Sequence, residues 1–139
     1  MIILDTNVIS EPLRQVPEHQ VIEWIDVQAL ETLYLSAITV AELRFGMASL
    51  PAGKRRDWLQ EGLEKRVLPM FAGRVLPFDM PASKAYRELI AKARAAGLAI
   101  GTADGYIAAT ATANSMMVAT RDVSPFEAAG VDVINPWEA

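Results

Sequence analysis

The sequence contains no cysteine among its 139 residues. That absence excludes disulfides, zinc–thiolate centres and a cysteine nucleophile. It has one histidine, His19, which reads as a surface helix residue with no second ligand nearby. Ser10 therefore has no histidine to activate it, and a serine-nucleophile reading fails. No apolar run reaches the roughly 18 residues that a membrane span needs. The opening MIILDTN lacks the basic and long apolar segments of a secretory signal, so a cytoplasmic protein is expected. There is no glycine-rich phosphate loop: Gly97-x-x-x-Gly101 reads as a helix stop and a loop. Linkers, repeats and low-complexity tracts are missing too. Positive charge is not in excess. The net charge is −4 and the pI about 5.0, which argues against an outer surface that grips nucleic acid by bulk charge.

What the chain has is apolar residues and short, alternating elements. At 52% hydrophobic it can bury a real core, and residues 1–139 are expected to form a single domain. Ile2 to Leu4 is a short apolar run of the kind buried in a parallel sheet. Further strands are expected at 33–35, 75–78, 117–120 and 131–134. Between them come helical segments: a short one capped by Asn7 and limited by Pro12, one carrying Val21, Trp24, Ile25 and Gln28, then 39–50, 54–68, 81–96 and 103–114. Ser124-Pro125-Phe126-Glu127 reads as the start of one more helical turn, with Ser124 as cap. The alternation predicts an α/β fold with three α/β/α layers and a mainly parallel central sheet.

Four acids stand where strands give way to helices: Asp5, Glu42, Asp104 and Asp122. Open α/β sheets place ligands beyond the carboxyl ends of their strands, so the four can meet at one edge. A cluster of carboxylates is a site for a hard divalent cation, which orients water and stabilises displacement at phosphorus. Setting those four aside leaves 13 acids against 13 lysines and arginines, so an acidic pI does not exclude a phosphodiester substrate. Each acid also has a plain structural reading. Thr39-x-x-Glu42 is a capping box, Asp104 follows a possible Thr102 cap, Asp5 can cap the first helix, and Asp122 can sit in a turn.

The segments MIILDTNVISEPLR, LSAITVAELRFG, LPMFAGRVLPFD, ADGYIAATA, VATRD and the final NPW resemble, in this order, the PIN-domain ribonucleases of the VapC toxin family, most closely the FitB branch. The resemblance runs from Met1 to Trp137. It implies a PIN-like fold in which Asp5, Glu42, Asp104 and Asp122 bind Mg2+ or Mn2+ and support hydrolysis of RNA by a metal-activated water. Thr6, Asn7 and Thr120 match polar positions beside that site. Arg14 and Arg121, close in sequence to the acidic motifs, are candidates for phosphate contact; the basic run Lys54-Arg55-Arg56 reads first as a solvated helix start.

The resemblance also implies a cognate antitoxin with a DNA-binding domain, whose tail blocks the acidic groove and forms a toxin–antitoxin hetero-oligomer. A homodimer is expected as well, with Phe45, Met47, Leu50 and Trp58 as possible contacts. A different reading makes the chain a catalytically weak partner subunit that binds the antitoxin and strengthens its hold on operator DNA. A third, an aspartyl-phosphate phosphatase, wants an acid two residues after the nucleophile, where this chain has Asn7.

Overall fold

A computed structural model describes all of residues 1–139. Five strands form one parallel sheet: β1 (Ile2–Leu4), β2 (Leu33–Ser36), β3 (Val75–Leu76), β4 (Met117–Ala119) and β5 (Val133–Ile134), in the order β3-β2-β1-β4-β5. β1 pairs with β2 through Ile2↔Leu33 and with β4 through Leu4↔Ala119. The chain builds one half of the sheet outward from β1, then returns to build the other half from β4. The join between β1 and β4 is therefore the topological switch point, where a parallel sheet opens a crevice for ligands.

Side chains alternate across the strands. Ile2 and Leu4 point into one core with Leu33, Leu35, Val40, Leu43, Leu59 and Leu63. Ile3 and Val118 point into the other with Ala85, Leu89, Ile107 and Phe126. The first core is covered by α1 (Thr6–Ser10), α2 (His19–Val27), α3 (Ala37–Ala48) and α4 (Lys54–Gly62), the second by α5 (Met80–Ala95), α6 (Thr102–Ala113) and α7 (Val123–Ala128). This is the expected three-layer arrangement. No helix is long and apolar enough to cross a membrane.

Several element ends differ from expectation, each for a local reason. Asp5, not Asn7, caps α1, its carboxylate accepting from the Thr6 amide at 2.8 Å. α3 starts two residues early because Ser36 caps it, accepting from the Thr39 amide at 3.0 Å. Thr39 and Glu42 therefore form no capping box. Ser124 is likewise inside α7 rather than at its cap, which Asp122 occupies without a side-chain cap bond. The helix expected at 54–68 breaks at Gly62 into a wide π turn over Leu63–Val67 and a tight turn over Leu68–Phe71. Its apolar stripe (Leu59, Leu63, Val67, Phe71) repeats every four residues, more than the 3.6 of an α-helix. The wider turn keeps that stripe on the core. β3 stops at Leu76 because Pro77 has no amide to pair.

α5 and α6 share the most extensive helix–helix contact, and Gly105 lies buried between them. A Cβ there would stand 3.1 Å from Tyr86 and 3.3 Å from Ile90. Tyr86 is itself held against Phe78 and Tyr106, with ring centroids 6.2 and 5.0 Å away. Gly105→Leu is expected to destabilise the fold by about 1–3 kcal/mol through overpacking, read as a lower urea midpoint with unchanged slope.

Candidate active site

Asp5 emerges from the carboxyl end of β1, its own amide donating to the Ala119 carbonyl of β4 at 2.9 Å. The residue is only 5% exposed. Three partners hold its carboxylate. The Thr6 amide donates to Oδ1, and the Thr120 hydroxyl donates to Oδ2 at 2.8 Å; Asn7 Nδ2 approaches Oδ2 at 3.5 Å. Thr120 follows β4 directly and also accepts from the Asp122 amide at 3.0 Å and from Asn7 Nδ2 at 3.3 Å. Asn7 Oδ1 in turn accepts from the Arg121 amide at 3.2 Å. Residues 5–7 and 120–122 are thus laced together across the switch point.

Glu42 joins from α3, one and a half turns into the helix. Its Oε1 accepts from the Thr6 hydroxyl at 2.7 Å. Asp104 joins from the first turn of α6, behind Gly101 rather than Thr102, which makes no side-chain cap bond. The four acids lie near enough to feel one another's charge. Burial pushes the Asp104 carboxyl up to about 6, helped by the charges of Asp5, Asp122 and Glu42. Burial also raises Asp5, against the lowering effect of its bonds from Thr120 and Thr6, and the charges of Glu42 and Asp122 raise it further.

No cation answers this charge. The ion pairs of the chain are Arg14–Glu11, Arg44–Glu64, Lys65–Glu61 and Arg87–Glu88, and none includes any of the four acids. Arg121 lies beside the cluster in sequence, but its guanidinium stands over the Trp137 ring at 5.2 Å. Arg14 is anchored by the buried Glu11, at 2.8 Å. The carboxylates are gathered but not closed, since no three acidic side chains stand together at metal-ligand spacing. The donor set itself, all carboxylate oxygen with hydroxyls behind it, suits a hard cation such as Mg2+ or Mn2+.

Some contributors were not visible in the sequence. Ser36 fixes where α3 begins and so where Glu42 points; the only signal was a serine three residues before Thr39. Glu11, 2% exposed, is the hidden anchor of Arg14. Of the four proposed dimer contacts, Phe45 and Trp58 are 75% and 56% exposed, whereas Met47 belongs to the core and Leu50 packs against it. His19 is exposed at the start of α2, as expected.

The PIN domain family profile matches residues 2–131, and the chain belongs to the PIN domain family. Similar proteins include the plasmid stability protein StbB of Pseudomonas syringae pv. tomato, 69% identical over 139 residues and 100% of both chains. The VapC ribonuclease Y4jK of Sinorhizobium fredii is 66% identical over 138 residues, 99% of both. The crystal structure of FitAcB from Neisseria gonorrhoeae matches with a TM-score of 0.97 and 55% identity, over 100% of both chains. The VapC and FitB resemblance of the sequence motifs is borne out.

The raised carboxyls make a prediction about stability. The folded chain keeps the Asp104 proton up to about pH 6, whereas the unfolded chain releases it near 3.8. Folding therefore takes up a proton between those values, and its contribution to stability is lost as pH rises through 6. Asp5 acts in the same direction. In EDTA, the thermal midpoint is expected to be higher at pH 5 than at pH 7. Asp104→Asn should raise the pH 7 midpoint and flatten the difference, followed by circular dichroism.

Proposed function

We propose that the chain is a metal-dependent endoribonuclease, the toxin of a toxin–antitoxin pair. Asp5, Glu42, Asp104 and Asp122 hold Mg2+ or Mn2+ in this reading. One observation carries it: Glu42, Asp104 and Asp122, from three separate segments, come within reach of one another's charge around a buried Asp5 at the switch point, with no ion pair to neutralise the four. So many like charges in one place raise the energy of the fold, and a site that tolerates them is built for a cation that arrives from outside. The names of the relatives, a VapC ribonuclease and a plasmid stability protein, support the same reading.

A hard dication supplies charge neutralisation at the phosphate and lowers the pKa of water. The chain's own residues do the rest. Thr120 and the Thr6 amide fix the rotamer of Asp5, so that its carboxylate is aimed before any ligand arrives. The Thr6 hydroxyl fixes Glu42. Asn7 spans the two strand ends and keeps the crevice at one width. The products are a phosphomonoester and a hydroxyl, formed by in-line attack of water on phosphorus. Arg121 and Arg14, close in sequence to the acidic motifs, serve as contacts for neighbouring phosphates.

The partner in this reading is an antitoxin with a DNA-binding domain. An arginine from its tail would supply the missing positive charge and exclude the metal. The exposed Phe45 and Trp58 are the contacts for a homodimer.

Asp5→Asn keeps the geometry of the side chain and removes a buried negative charge. It should retain the circular dichroism spectrum of the parent and lose RNA cleavage in Mg2+ or Mn2+ by at least 100-fold, in line with losing about 2.7 kcal/mol of transition-state stabilisation. Equal cleavage by the two proteins would remove Asp5 from the reaction. No cleavage by the parent would favour the catalytically weak partner subunit.

A further inference from the structure

A cleft of about 270 Å³ opens directly from the acidic site, with Thr6 and Glu42 at its near end. α1 with the turn after it, α3 and α4 make its walls. Glu42 and Gly46 lie one turn apart on the same face of α3, and Arg55 and Leu59 one turn apart on α4. The floor is apolar, formed by Leu43, Met47 and Leu59 from the first core. Arg14 and Arg55 stand at the far rim, and both also line the adjoining hollow beside Gln15 and Val16. Arg55 is exposed and has no ion pair; Arg14 spends one Nη on Glu11 and keeps its other donors.

This order of surfaces is acidic, then apolar, then basic. We propose that the cleft seats the nucleotide of a single-stranded RNA next to the scissile phosphate, with Arg55 and Arg14 on the phosphate beyond it. The inference rests on the proposed hydrolysis and adds where the strand runs. A strand whose reacting phosphate lies at the acids must leave in some direction. This one offers an apolar surface for the flat face of a base and two guanidinium groups for the backbone. A basic peptide entering the acids along the same path would meet two arginines of its own sign.

Gly46 supplies the steric half of the test. A Cβ at Gly46 meets no atom within 4 Å, so a longer side chain there enters open cleft without disturbing the core. Replacing a helical glycine also favours the helix, so Gly46→Leu is expected to fold. Arg55→Ala supplies the electrostatic half. Lys84→Ala, on α5 at the opposite face of the sheet, makes the same change of charge elsewhere.

Binding is read by fluorescence anisotropy of a fluorescein-labelled single-stranded RNA oligonucleotide, in an Asp5→Asn background so that the probe stays intact. Arg55→Ala is expected to raise Kd about tenfold, the size of one charge-assisted contact. It should also lower the salt dependence of log Kd by about 0.7, one phosphate's worth for a single strand. Gly46→Leu should raise Kd about tenfold with the salt dependence unchanged, and Lys84→Ala should leave both as they were. Equal affinity in all three variants, or no RNA bound by the Asp5→Asn parent, overturns the seat. Cleavage by the otherwise unaltered chain is measured separately. Binding that responds to both substitutions without any cleavage would sink the hydrolysis and leave the seat standing; Asp5-dependent cleavage with unaltered affinities would do the reverse.

Discussion

The architecture around the site depends on a buried carboxylate held by a hydroxyl and an amide. Asp5 leaves the central strand and is gripped on one side by its own helix, through the Thr6 amide, and on the other by Thr120 at the end of β4. A lone buried carboxylate is costly, and hydrogen bonds to it return part of that cost. Here the bonds come from two strands that meet only in the folded sheet. The same bonds therefore close the switch point and aim the site. Asn7 repeats the pattern with neutral groups, touching Asp5, Thr120 and the Arg121 backbone.

Helix positions then bring the remaining acids in. Glu42 and Asp104 are carried by α3 and α6, helices from opposite layers of the sandwich. Their approach to Asp5 is a property of the sheet edge rather than of either layer. Gly105 lets α6 pack tightly on α5 one residue after Asp104.

Much of this was legible in the chain. Strands buried on both faces read as apolar runs, helices by their stripe, and the acids by their place at strand–helix joins. The motif order carried the family. What the sequence did not disclose was how local bonds share out the capping roles. Asp5 caps α1 and Ser36 caps α3, roles that a reading of Asn7 or Thr39 as caps misses. The π turn after Gly62 was hidden because a four-residue stripe looks helical until the winding is measured along the core. The burial of Glu11 and Met47 depends on α1, α3 and α4 meeting in three dimensions, and no local pattern reports that.

The central position of β1 has a consequence for how the molecule comes into being. β1 needs β4, more than a hundred residues later, before its second edge is paired. Thr120 and Asp122 arrive with that same strand. Contacts so distant along the chain form late, at a high cost in loop closure. A chain in which β4 has not yet paired with β1 holds no assembled crevice.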